Sequence, residues 1–296
     1  MSGALPDPIR RAVEAALGAR VQNAAPIGGG MICHAARVGL GDHADVFVKW
    51  GRDETPDLFA AEADGLRRLR DARALRVPEV LAVGDAFLVL EYVAPRPGGD
   101  EDRFATRFGE GLARLHRGSQ AALFGLDRDN YLGRFVQINT PQSGDWAAFY
   151  RERRLLPQIA LAKDLGRMPA GRERLLDGVL ERLDALLDGL DARPALLHGD
   201  LWSGNFLAAG DEPVLVDPAV YYGEREIEIA FIELFGGFPP GFLPAYRAAF
   251  PLDPGYERRR PLHQLYPLLV HLNHFGERYG PHVEEVCRRL SEAGRG

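Results

Sequence analysis

The side chains of this sequence that could do chemistry together are densest in His198-Gly199-Asp200-Leu201-Trp202-Ser203-Gly204-Asn205 and in Asp217, which closes the strand-like run Val214-Leu215-Val216. Asp200 and Asn205 flank a loop, and a hairpin turning at Ala209-Gly210-Asp211-Glu212 brings Asp217 back beside them. Asp200 is then free to take a proton from an attacking hydroxyl. The amide oxygen of Asn205 and the carboxylate of Asp217 offer hard oxygen ligands to a magnesium ion. Phosphoryl transfer needs that division of labour. The plainer alternative is a polar loop with capping carboxylates.

A second group lies upstream. Only two of the 36 basic residues are lysines, Lys49 and Lys163. Lys49 sits in Val46-Phe47-Val48-Lys49-Trp50, whose alternation predicts a half-buried strand, so a compact ammonium is kept where arginine is the default. Winding Phe59–Arg70 as a helix puts Glu62 within about 60° of Phe59, Leu66 and Leu69. A carboxylate on an apolar face needs a partner, and Lys49 is the obvious one. A strand lysine paired to a helix glutamate holds nucleotide phosphates in kinases, and Asp-x-x-x-x-Asn is the spacing of their catalytic loop. His198 occupies the place of that loop's histidine and reads as structural. Gly28-Gly29-Gly30 is a turn whose N–H groups can approach phosphates, and Leu88-Val89-Leu90-Glu91-Tyr92-Val93 falls where a hinge offers backbone groups, at Glu91 and Val93, to adenine. The order of these features along the chain carries more weight than any one of them.

The elements that must position these residues divide in two. After an amphipathic helix near residues 8–17, strands are expected at Ile27–Val38, Ala44–Trp50 and Ala86–Tyr92, with the helix Phe59–Arg70 between the last two. Pro95-Arg96-Pro97-Gly98-Gly99-Asp100 breaks both periodicities and reads as a linker. Beyond it Phe104, Phe108, Leu112 and Leu115 share one helix face, as do Leu176, Leu180, Leu183, Leu187 and Leu190. Ala195-Leu196-Leu197 leads as a strand into the Asp200 loop. The fold class expected is α+β and bilobal: a small nucleotide-binding lobe of antiparallel sheet plus helix over residues 1–93, and a larger, mainly helical catalytic and substrate-binding lobe over 94–296. A cleft between lobes is where a ligand belongs.

Composition excludes several classes. The 296 residues are 46% hydrophobic and 26% charged, as in globular proteins, and 42 acidic residues against the 36 basic ones give a net charge of −6, so a nucleic-acid or anionic-membrane partner is not expected. Two cysteines, Cys33 and Cys287, make no disulfide framework. No apolar run approaches the ~18 residues of a membrane span, and no secretory signal opens the chain, so a cytoplasmic location is expected.

The motifs then carry a family resemblance. The Asp200 loop, Asp217-Pro218-Ala219-Val220-Tyr221-Tyr222-Gly223 and Glu233-Leu234-Phe235-Gly236-Gly237-Phe238 resemble the fructosamine, or ketosamine, kinases, and the likeness extends to Asp129-Asn130-Tyr131-Leu132-Gly133 and Asn273-His274-Phe275-Gly276. It spans nearly the whole chain. The loop is shared with aminoglycoside and choline kinases, whereas Trp202 and the Pro218–Gly223 run are more particular. The resemblance implies a protein-kinase-like fold and ATP- and Mg2+-dependent phosphorylation of the O3 hydroxyl of a ketosamine, small or protein-bound, after which the adduct falls apart and frees the amine. It implies Asp200 as base, Asn205 and Asp217 as magnesium ligands, Lys49 with Glu62 on the nucleotide phosphates, and Trp202 and His271 as sugar contacts. His116, His274 and Trp146 read as packing residues.

Two positions depart from the family pattern. Glu228 stands where an Asp that braces the catalytic loop is expected. Met31 follows the glycines where relatives often carry a cysteine; Cys33, two residues on and on the same strand face, leaves a redox-linked dimer open beside a monomer. The competing readings are a hydroxyl kinase of the aminoglycoside or choline type, a silent nucleotide-binding scaffold, and a metal hydrolase built on His198, Asp200 and Asp217. The scaffold is disfavoured because Lys49, Asp200, Asn205 and Asp217 are all present. The hydrolase is disfavoured because no second histidine lies at ligand spacing.

Overall fold

The computed structural model describes residues 5–28, 33–41, 43–51, 55, 57–96 and 98–292. Helix α1 (Asp7–Leu17) precedes five strands, β1 (Asn23–Ile27), β2 (His34–Gly39), β3 (Val46–Trp50), β4 (Val80–Gly84) and β5 (Phe87–Glu91), with α2 (Leu58–Asp71) between β3 and β4. They form one antiparallel sheet in the order β1-β2-β3-β5-β4. Every residue of β5 from Phe87 to Leu90 is buried because both faces of the sheet are covered. Phe87 and Val89 join Val46, Val48 and Trp50 in a core shared with Val13 of α1. Leu88 and Leu90 join Phe59, Leu66 and Leu69 of α2 in a second core.

The expected single strand Ile27–Val38 is corrected by the structure. Ile27 ends β1, pairs with Ala35, and β2 begins at His34, so Gly28 lies between two strands of a hairpin and does not precede one strand. Gly29, Gly30 and Met31 lie outside the described residues. β1 gives little strand signal, since Asn23-Ala24-Ala25-Pro26 lacks large alternating residues, and Pro26 is tolerated because β1 is an edge strand. β4 is hidden for a related reason: its large residues Leu81 and Val83 point outward, while the less exposed Val80, Ala82 and Gly84 alternate with them.

The rest of the chain is mainly helical: α3 (Glu101–Gly118), the hairpin of β6 (Asn130–Leu132) and β7 (Phe135–Gln137), then α4 (Trp146–Phe149), which runs through a π-helical turn, Tyr150–Leu155, into α5 (Leu156–Asp164). α6 (Ala170–Glu181) and α7 (Leu183–Leu186) follow. The leucine stripe 176–190 therefore spans two helices and not one, because the backbone turns at Arg182 (φ −110°, ψ 11°); the stripe still faces a common core. Next come β8 (Ala195–Leu197), β9 (Phe206–Ala209), β10 (Glu212–Leu215), β11 (Tyr221–Gly223), α8 (Arg225–Phe235), α9 (Phe242–Ala249), α10 (Tyr256–Phe275) and α11 (Gly280–Glu292). β9 pairs with β10, and β8 with β11. Among the described residues no helix is long and apolar enough to cross a membrane.

α8 matters most to the site because it runs under the Asp200 loop, and buried charges fix its start. Glu226 and Arg259 form a buried bidentate pair at 2.8 Å for both bonds. Glu224 caps the helix, accepting from the N–H groups of Glu226 and Arg193. Burial, with Glu226 nearby, pushes the Glu224 carboxyl up to about 8. A carboxyl raised in the folded state contributes stability at low pH that is lost as pH climbs from its ordinary value through about 8. The stability advantage of the wild type over Glu224→Gln should therefore shrink as pH rises from 5 to 8.5; melting curves with a constant gap would contradict this.

Candidate active site

β3 alternates so that Val46, Val48 and Trp50 are buried, which turns Phe47 and Lys49 to the opposite face, toward α2. There Lys49 Nζ donates to both oxygens of Glu62, at 2.8 and 2.9 Å, and to Asp217 Oδ1 at 3.0 Å. Burial opposes the ammonium, but Glu62 and Asp217 outweigh it and hold Lys49 charged, with its pKa above the usual value. The pair expected from strand and helix periodicity is thus formed, and it reaches across the cleft to Asp217.

The Asp200 loop leaves β8 in a tight turn. Asn205 donates through Nδ2 to the main-chain oxygen of Asp200 at 2.8 Å and to its Oδ2 at 2.9 Å, so its Oδ1 is turned the other way. Burial, followed by the nearby Asp217 and Glu228, raises the Asp200 carboxyl to about 8 despite the Asn205 bond. His198 donates from Nε2 to Val216 O at 2.9 Å and accepts from the Asp200 N–H at Nδ1, which fixes its tautomer. Burial lowers its pKa, so it stays neutral and staples the loop to the end of β10.

Glu228 supports the loop from below. Its Oε1 accepts from Gly199 N–H at 2.8 Å, and its Oε2 from His198 N–H at 3.3 Å and from His116 Nε2 at 2.9 Å. Burial pushes this carboxyl up, but the bonds from His116 and Gly199 with the nearby His198 hold it below its ordinary range. The extra methylene relative to Asp is accommodated and all three bonds form. His116 is more than a packing residue: its Nδ1 also meets Tyr246 Oη at 2.8 Å. Gly199 is required where it stands, with φ +84° and a would-be Cβ that would run into Ala219 O.

One cleft of about 180 Å³ has Cys33, Lys49, Glu62, Asp200, Trp202, Asn205 and Asp217 in its wall. Trp202 is 43% exposed, its indole folded over Gly204. Asn130, Tyr131 and Gly133 also line it. The Asp129–Gly133 motif marks these three only as part of the family resemblance; a strand as short as β6 has no periodicity to show which face they present. Other expected residues lie elsewhere. Glu91 and Val93 are not in the cleft wall; the Glu91 carboxylate pairs with Arg76 at 2.7 Å, and Val93 lines a separate hollow with Arg76, Tyr92 and Arg96. His271 is not brought to the cleft wall either. Its ring stacks on Phe235 at 4.2 Å, Nδ1 donates to Pro267 O, and burial lowers its pKa to about 4. Gly28 follows the last residue of β1, and Gly29 and Gly30 are outside the described residues.

A magnesium ion fits the donor set. Asn205 Oδ1 and the 43%-exposed Asp217 carboxylate are hard oxygens in one cleft, the ligand type that magnesium takes. Fold and site define a kinase-like phosphotransferase. Residues 7–293 match the fructosamine kinase family, and the chain belongs to it. The Enterococcus faecium protein named "Probable ketoamine kinase" is 41% identical over 270 residues, covering 90% of this chain and 94% of its own. A crystal structure of a "putative fructosamine-3-kinase" from Thermobifida fusca superposes with a TM-score of 0.89 at 38% identity, covering 97% of this chain and all of the other. The aminoglycoside phosphotransferase APH(4)-Ia, in a ternary complex with ADP and hygromycin B, shares the fold at TM-score 0.65 and 16% identity, covering 97% of this chain and 99% of its own.

Glu228→Asp should shorten the support by one methylene and break its bond to Gly199 N–H, a loss of roughly 1–3 kcal/mol. Thermal unfolding should fall accordingly and kcat should drop with KM little changed; unaltered stability and kcat would show that the brace is unnecessary.

Proposed function

We propose that the protein is a ketosamine kinase that transfers the γ-phosphoryl group of ATP to a sugar hydroxyl, O3, of a small or protein-bound ketosamine, the first step of a deglycation repair. The observation that carries this reading is the convergence of Lys49, Glu62, Asp200, Asn205 and Asp217 on one cleft whose outer wall is the exposed indole of Trp202. Asp200 accepts the hydroxyl proton as the new O–P bond forms and the bond from the γ-phosphorus to ADP breaks. Lys49, held by Glu62, receives the inner phosphates. Asn205 and Asp217 would hold a magnesium ion, which when bound would neutralise phosphate charge. Catalysis is by positioning and charge compensation, with no covalent enzyme intermediate.

The acceptor is read from the wall of the cleft. Among the described lining residues the carboxylates are Glu62, Asp200 and Asp217, and each already has a part in the transfer. None is left to meet a polycationic aminoglycoside, whereas an indole face suits the apolar face of a sugar ring. Trp202 is the sugar contact in this reading. His271 stacks on Phe235, neither of them in the cleft wall, and it would have to move to touch substrate.

A coupled ADP-release assay over ribulosamine, erythrulosamine and fructosamine adducts, with choline and kanamycin as controls, tests the substrate class. Turnover of at least one ketosamine and of neither control is expected, and the reverse pattern would refute it. Asp200→Asn should abolish the transfer while leaving nucleotide binding intact; full activity would remove Asp200 as the base.

A further inference from the structure

Beneath the cleft runs a chain of buried polar side chains that phosphoryl transfer does not itself use. Asn130, Gln137, Asn139 and Arg154 are each no more than 4% exposed. Arg154 fixes the direction of the chain, because a guanidinium only donates. It donates to Asn139 Oδ1 at 2.7 Å, so Asn139 Nδ2 donates onward to Asn130 Oδ1 at 3.0 Å. Asn130 must then turn Nδ2 outward, and it donates to Val220 O at 2.7 Å. A second branch agrees: Tyr266 Oη donates to Gln137 Oε1, so Gln137 Nε2 donates to Asn130 Oδ1 and to Ala219 O, both at 2.9 Å. The Arg154 guanidinium lies 3.9 Å over the Tyr221 ring and is locked there.

Both branches end on the carbonyls two and three residues after Asp217. Asp217 has φ +54°, a left-handed backbone that a residue other than glycine keeps only where its surroundings over-determine it. Upstream, Val216 is held by Asn205 O and by His198 Nε2. Downstream, Pro218 has no N–H to donate. The segment is fixed there by the Ala219 N–H bond to His198 O and by the two amides.

We propose that Asn130 is a positioning residue for Asp217: its donated bond to Val220 O, directed by Arg154 and Asn139, holds the metal-binding carboxylate in its left-handed turn and couples the part of the cleft wall that β6 provides to the metal site. The inference rests on the reading of Asp217 as a magnesium ligand. Loss of the bond lets the turn relax and moves the carboxylate away from Asn205. An effect on metal affinity, separate from folding, follows.

The test is calorimetric binding of ADP to the full chain with Mg2+ and with EDTA. Asn130→Leu is similar in size, adds no charge to the cleft and removes the donor to Val220 O. The gain in ADP affinity conferred by Mg2+ should fall about 10–100-fold, as when a ligand's supporting partner is removed, while affinity in EDTA stays unchanged. A folded variant with an undiminished Mg2+-dependent gain overturns the proposal. Should that variant not fold, Tyr266→Phe, which removes the donor to Gln137 Oε1 alone, decides: a smaller shift in the same direction supports the proposal and no shift overturns it. A wild type whose ADP affinity does not respond to Mg2+ overturns it together with the metal assignment. A wild type that binds MgADP yet phosphorylates no ketosamine counts against the proposed substrate, and this inference, read in ADP binding, is unaffected.

Discussion

One ammonium between two carboxylates organises the cleft. Lys49 is bound at 2.8 Å to Glu62 and at 3.0 Å to Asp217, and its side chain and that of Glu62 are only 12% and 11% exposed. At such separations opposite charges attract by about 6 kcal/mol even at an effective dielectric constant near 20. The attraction ties the sheet and α2 to the hairpin that carries Asp217. The triad still carries one uncompensated negative charge, and Asp200 lies in the same cleft. That surplus contributes to the raised Asp200 carboxyl, behind burial.

The remaining architecture keeps these charges from relaxing. The Asp200 loop is gripped by Glu228 through Gly199 and His198 N–H, by His198 through Val216, and by the close approach of Gly199 to Ala219. Glu228 is held in turn by His116 and by a helix whose first turn is pinned by the buried Glu226–Arg259 pair. Each support uses a buried polar group that is costly to leave unpaired, so misplacing any one is penalised. Rigidity of this kind is what charge compensation in phosphoryl transfer asks for, since the catalytic groups must already sit where charge develops.

Much of this was legible in the sequence where local periodicity and motif spacing coincide. Alternation in Val46–Trp50 and the helical phase of Glu62 led to the Lys49–Glu62 pair, and Asp-x-x-x-x-Asn with a hairpin aspartate led to Asn205 and Asp217. What stayed hidden depends on contacts distant in sequence. β1 and β4 are edge strands with little inward-facing bulk. Asn130 faces the cleft only because Arg154, in the π-helical turn Tyr150–Leu155, and Val220, beyond Asp217, both meet it through other residues or directly. His271 lies among apolar residues in the sequence, and the structure keeps it in an aromatic cluster and not at the cleft wall.

The most direct measurement is phosphoryl transfer by Lys49→Met at saturating MgATP and ketosamine. If the triad is the organising interaction, kcat falls on the order of 10²–10³-fold, with the fold retained by circular dichroism. A folded Lys49→Met enzyme that turns over at the wild-type rate would contradict the account.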